Sequence, residues 1–164
     1  MQIDVGGFKR ALGRYATGVV VVSAHSAGHD HAMTANSFTA VSLDPPLVLF
    51  CVEQDARFHD AVQDAGVFGV SVLAAEHRSI ATWLSTPGRP LIGQLTTVPH
   101  TRGPNDCVLI SGALAHLECE IRDVHAAGDH SIVVGEVIHL TASDDPPPAL
   151  LYYRSRYAST PGAY

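Results

Sequence analysis

Late in the chain, the stretch GDHSIVVGEV (Gly128 to Val137) sets an Asp-His pair on a glycine turn and runs on into an apolar segment. Its histidine, His130, either closes the turn or meets a ligand at the mouth of a strand, with Asp129 placed to fix its tautomer. A second stretch, MTANSFTAVSLDPP (33–46), carries Thr34, Ala35, Asn36, Ser37 and Ser42 ahead of a Pro-Pro break. Small polar groups of that kind either cap their own backbone or offer donors and acceptors to the polar edge of a planar heterocycle. A third, CVEQDARFHD (51–60), runs from an apolar strand into a helix whose first turn holds Ala56 and Arg57. That is an anion site if the helix end is open, and an ordinary junction if Asp55 caps it.

Other chemistries find little support. There are ten histidines, and His25, His29 and His31 crowd one turn. Their spacing matches no common metal pattern, so solvated turn histidines and no metal site are expected. Ser-His-Asp hydrolysis lacks its GxSxG elbow. Cys51, Cys107 and Cys119 form no CxxC pair, which argues against a disulfide framework or structural zinc. The formal net charge of −6, without a basic cluster, excludes a nucleic-acid partner.

The 164 residues, 46% hydrophobic and 16% charged, suffice for one domain (1–164) with a sizeable core. The longest apolar run, TGVVVVSA (17–24), is far short of the roughly 20 residues of a membrane span. No basic-then-apolar leader opens the chain, so no membrane association and a cytoplasmic location are expected.

The elements that must position these residues read mostly as strands. Val5, Phe8, Leu12 and Tyr15 repeat at helical spacing. Strands follow at 18–24, 31–35, 47–52 and 67–73, with short helices over 56–64 and 76–84. Residues 85–106, rich in Pro and Gly, read as a lid-like loop, and 158–164 as a tail. Over 112–124, Ala115, Leu117, Cys119 and Ile121 alternate with His116, Glu118, Glu120 and Arg122, which predicts one buried and one wet face. Strands at 130–142 and 149–157 complete the chain. Many hairpins, few helices and no GxGxxG favour an antiparallel barrel over a doubly wound sheet.

The segments TGVVVVSA, MTANSFTAVSLDPPLVLFCV, FGVSVLAAEH, GALAHLECEI, AGDHSIVVGEV and LYYRSRY occur in the order seen in short-chain flavin:NAD(P)H reductases. Over about residues 7–157 the chain resembles that family, and VSVLAAEH is similar to members serving monooxygenases of aromatic polyketide pathways. The resemblance implies a mainly β, antiparallel Greek-key split β-barrel with a few flanking helices, homodimeric, binding FMN or FAD. It implies flavin contacts from Thr34, Ala35, Asn36, Ser37 and Ser42, and from the segment matching Cys51, Val52, Glu53, Ala56, Arg57 and Phe58. His77, standing where relatives commonly carry Gln, and Tyr157 join that set. His130 is implied to contact NADH or NADPH and to position the hydride donor. Where many relatives carry a Ser or Thr pair, this chain has Asp55, Ala56 and Arg57, and its 85–106 segment is shorter. The implied activity is flavin reduction for a separate monooxygenase. The alternative is a flavin-binding protein of the same fold that is not a reductase, either a flavoprotein oxygenase or a carrier.

Overall fold

The computed structural model describes residues 3–162. Met1 and Gln2 of the N-terminal stretch, and Ala163 and Tyr164 of the 158–164 tail, lie outside the described residues. Helix α1 (Val5–Leu12) is capped by Asp4, whose carboxylate accepts from the Gly6 and Gly7 N–H groups. Four buried valines, Val19 to Val22, then start a strand system. Successive side chains of a strand point to opposite faces, so this run needs a core on each side.

Both cores are present. Val20, Val22, Phe50, Phe68, Cys119 and Val133 share one, and Val19, Val21, Leu73, Leu84, Ile110 and Leu150 share the other. Phe68 meets Phe50 edge-on at 5.1 Å in the first.

Strands β1 (Thr17–Gly18), β2 (Val20–Ser26), β3 (His29–Ala35), β4 (Thr39–Leu43), β5 (Pro46–Glu53) and β6 (Val67–Val72) occupy the first half. The second half holds β7 (His100–Arg102), β8 (Val108–Ile110), β9 (Ala115–Ala127), β10 (His130–Ala142), β11 (Leu150–Tyr153) and β12 (Arg156–Ser159). The main sheet has seven strands in the order β3-β2-β6-β9-β10-β5-β4, every ladder antiparallel, with β3 and β4 at its edges. Strands β1, β11 and β12 form a second small sheet and β7–β8 a hairpin. Helices α2 (Arg57–Ala65) and α3 (Arg78–Ser85) complete the architecture. The fold is mainly β, as composition and periodicity predict.

Three details depart from the sequence reading. The 85–106 segment is tied down: Gln94, Leu95 and Val98 are buried, and its end forms β7. The expected single strand 149–157 is two strands around a turn at Arg154 and Ser155, whose φ values are +50° and +59°. No glycine or asparagine marks that turn, so composition could not reveal it. Glu118, expected on a wet face, is fully buried. The alternation is correct, but the 103–107 turn covers that face: Glu118 accepts from Asn105 N–H at 3.0 Å and from Asn105 Nδ2 at 3.3 Å.

Candidate functional site

A cavity of about 600 Å³ opens beside the β3 edge of the main sheet, where the start of α2 and the end of α3 converge. That volume lies within the range of small-molecule and cofactor sites. Eleven of the residues implicated by sequence line it: Thr34, Ala35, Asn36, Ser37, Cys51, Val52, Glu53, Ala56, Arg57, Phe58 and His130.

The hydroxyls of the TANS segment turn out to be committed to the scaffold. Thr34 Oγ1 donates to the Ala81 carbonyl at 2.8 Å, pinning α3 to the sheet. Ser37 Oγ accepts from Cys51 N–H at 3.0 Å and donates to Cys51 C=O at 3.3 Å, continuing β5's outer edge where β4 stops. What faces the cavity is therefore the Asn36 side chain, which is exposed, together with the part of the β3 edge beyond Ala32, where no strand pairs. An edge strand presents a row of free N–H and C=O groups, and a flat ligand edge can take them.

At the α2 end, Asp55 does not cap. Ala56 holds the N-cap position with no side-chain hydrogen bond, so the first helical N–H groups are open to an anion. Arg57 begins the helix, and its Nη1 donates to the Arg89 carbonyl at 3.4 Å. Arg89 was missed by the sequence reading because it sits in what looks like loop. Its guanidinium donates to Thr86 C=O at 3.0 Å, to Gln94 Oε1 at 3.4 Å, and to the Ala32 carbonyl on β3's edge. Buried Gln94 fixes that loop in turn, donating to Asp30 C=O at 2.9 Å, while Trp83 Nε1 donates to the Gln94 carbonyl at 2.7 Å.

Two cations, Arg57 and Arg89, and two carboxylates, Glu53 and Asp55, line the cavity. Neither Arg57 nor Arg89 has a carboxylate within 4.0 Å among the described residues, a state they share with Arg14, Arg78, Arg154 and Arg156 outside the cavity. Burial and the Arg57 charge both lower Arg89 from the usual guanidinium range, the sign of a cation held without a counter-ion. His31 also lines the cavity, is 7% exposed, and has an Nδ1 with no partner among the described residues. Such an orphaned atom costs about 1–3 kcal/mol unless something completes it. A nucleotide-type cofactor, planar at one end and phosphorylated at the other, fits this donor set.

His130 begins β10, opposite Glu53 of β5. Its Nδ1 donates to Asp129 Oδ1 at 2.7 Å, and its side chain keeps 39% exposure. Hydrogen bonding to His130, then its charge, lowers the Asp129 carboxyl from its ordinary value. The contact holds the tautomer with Nε2 free for a ligand.

The chain matches the flavin reductase like domain over residues 12–161. It belongs to that family. An NADH-dependent FAD reductase of Streptomyces globisporus is 44% identical over 135 residues, covering 81% of this chain and 74% of that one. The actinorhodin polyketide dimerase of Streptomyces coelicolor is 33% identical over 160 residues, covering 97% and 88%. The crystal structure of the flavin reductase component of a bacterial two-component tryptophan halogenase superposes with a TM-score of 0.91 at 40% identity, covering 98% of this chain and all of that one.

Three residues of the expected set lie elsewhere in this flavin reductase domain. His77 is buried in a turn, where Nδ1 accepts from Ala74 N–H at 3.1 Å and Nε2 donates to Ser111 C=O at 3.0 Å. Both ring nitrogens are thereby used to brace the turn, and His77 does not line the cavity. Ser42 sits at a bulge of β4 opposite Leu47 and does not line the cavity. Tyr157 packs on Tyr152 at 5.5 Å, against the second core.

Proposed function

We propose that this chain is an NAD(P)H-dependent flavin reductase that supplies reduced flavin to a separate monooxygenase. The observation carrying this reading is a flavin-sized cavity with an open backbone edge at one wall and two uncompensated arginines at another, in a chain of the flavin reductase family. When bound, the flavin supplies the ring that accepts a hydride from the nicotinamide. The chain's own task is to seat both rings together, exclude water and support negative charge on the ring edge. Backbone N–H groups along 34–37 and at the end of β5 serve the ring edge, with Asn36 beside them. Arg57, Arg89 and the α2 N-terminus serve the phosphate. His130, with its Nδ1 proton held by Asp129, positions the nicotinamide nucleotide through Nε2.

The test is to add FMN or FAD and NADH to the purified protein and follow the NADH absorbance. Rapid flavin-dependent oxidation supports a reductase, and a yellow protein inert to NADH supports the non-reductase alternative. In the same assay His130→Ala raises KM for NADH about tenfold, near the loss of one hydrogen bond to a charged group, with flavin affinity nearly intact. An unchanged KM removes His130 from that role.

We also propose a cytoplasmic homodimer in which the main sheet forms part of a Greek-key split barrel and the whole chain is one domain. No described helix is long and apolar enough to cross a membrane. The dimer reading is supported by the apolar stripe of α1: Val5, Phe8 and Leu12, with Tyr15 just beyond, are 53–74% exposed. Leu43, Leu140 and Ile138 add further exposed apolar surface. A folded monomer leaves few such patches uncovered. Phe8→Glu is expected to shift the protein from dimer to monomer in light scattering. Retention of the dimer would place the interface elsewhere. The S. coelicolor relationship supports a partner oxygenase of polyketide chemistry.

A further inference from the structure

We propose that a second cleft, at the far end of β3, is an adenosine subsite. The flavin held by this chain is then FAD, lying along the strand edge with its diphosphate at Arg89. This deepens the flavin-reductase reading and rests on it. The cleft has a volume of about 580 Å³, between Gly28, His29 and Asp30 on one side and the 91–100 segment on the other. It continues the first cavity without a gap in the chain. His31 to Ser37 line the first, Gly28 to Asp30 line the second, and Gln94 lines both.

The order of chemical groups along this groove is the order of parts in a flavin dinucleotide. At one end, the open edge beyond Ala32 and the exposed Asn36 suit the polar side of the ring. Arg89 stands at the junction: it lines the first cavity, and its Nε donates at 3.4 Å to Oε1 of Gln94, the residue common to the two. Its bonds to Thr86, Gln94 and Ala32 use three of the five N–H groups of a guanidinium, which leaves two for phosphate oxygens.

Beyond Arg89 the groove changes character. Leu91, Ile92, Leu95, Val98 and Pro99 give it apolar surface, and Ile92 is 78% exposed. A flat heterocycle laid on that side chain takes both out of water. Asp30 is the one carboxylate among the lining residues, and both its oxygens are engaged. Its Oδ1 lies 2.8 Å from His25 Nδ1, and its Oδ2 accepts from Arg102 at 2.6 Å. His100 Nδ1 donates to the Val98 carbonyl at 2.7 Å, so the neutral ring keeps Nε2 as a bare acceptor. An exocyclic amine, as on adenine, is the matching donor. FMN ends at its phosphate and leaves this cleft unfilled, whereas FAD reaches it.

Isothermal titration of the whole chain with FAD and with FMN tests the subsite. Wild-type protein is expected to bind FAD about tenfold or more tightly than FMN. Ile92→Asp is expected to raise the Kd for FAD about tenfold and to change that for FMN less than about twofold, removing the preference. The 8-azidoadenine analogue of FAD is expected to photolabel residues 28–30 or 91–100 of the wild-type protein. Equal Kd values for the two flavins, an unchanged preference in I92D, or label confined to other segments overturns the proposal. A higher KM for NADH in I92D with the FAD preference intact would assign the cleft to the adenosine of the pyridine nucleotide, which also overturns it. If I92D does not fold, Ile92→Ser and the photolabelling decide. Failure of both flavins to bind overturns the flavin reading itself, whereas FMN binding without a preference for FAD overturns this inference alone.

Discussion

Arg89→Ala is expected to raise the dissociation constant for FAD by about 10- to 100-fold, the loss of one or two charge-assisted hydrogen bonds. Two effects add. The guanidinium is one of two cations in the cavity with no carboxylate within 4.0 Å among the described residues. It also ties the loop together through three donated bonds, one each to Thr86, to Gln94 and to Ala32 of β3, so its loss frees the wall that the phosphate would meet. Arg89→Lys separates the two effects. Lysine restores the charge but cannot reproduce the fork, so it should recover only part of the affinity. Fluorescence titration of flavin checks both variants, and an Arg89→Ala Kd within twofold of wild type would show that the phosphate lies elsewhere. Arg57→Ala should lose less, because Arg57 is exposed and its charge is screened by solvent and salt.

Glu118→Ala is expected to destabilise the fold by about 3 kcal/mol, combining a vacated core volume with an unpaired amide. For a chain of this length that corresponds to a fall in Tm of about 6–12 °C. The carboxylate fills the space under Gly103 so closely that a Cβ there would overlap Glu118 Cδ. It is also the acceptor for both Asn105 donors. Burial first, then the Glu118 charge, push the neighbouring Cys107 thiol up to about 12, so it stays protonated. Differential scanning calorimetry at matched protein concentration checks the prediction, and a Tm within 2 °C of wild type would contradict it. Gly103→Ala should also destabilise, since its Cβ would displace the Glu118 carboxylate from the Asn105 donors that hold it.

Much of this protein was legible in its residues. Four consecutive valines and the alternation over Ala115–Ile121 announce strands with defined faces, because side-chain direction in a strand is a local property. The TANS, CVEQDARF and GDH segments carry residues that do converge on one cavity. What the sequence could not determine is what lies over each face and which polar groups are already spent. Glu118 stands on the side that alternation assigns to it, but a turn about a dozen residues earlier covers that side and makes it core. Thr34 and Ser37 look like ligand donors, yet their hydroxyls hold α3 and β5. His77 looks like a ligand and is a brace, whereas Arg89, Gln94 and His31 look like loop and turn residues and form a cavity wall. Strand direction follows from the chain's own stereochemistry. Side-chain hydrogen-bond partnership depends on segments brought together from up to 85 positions apart, and only the tertiary structure settles it.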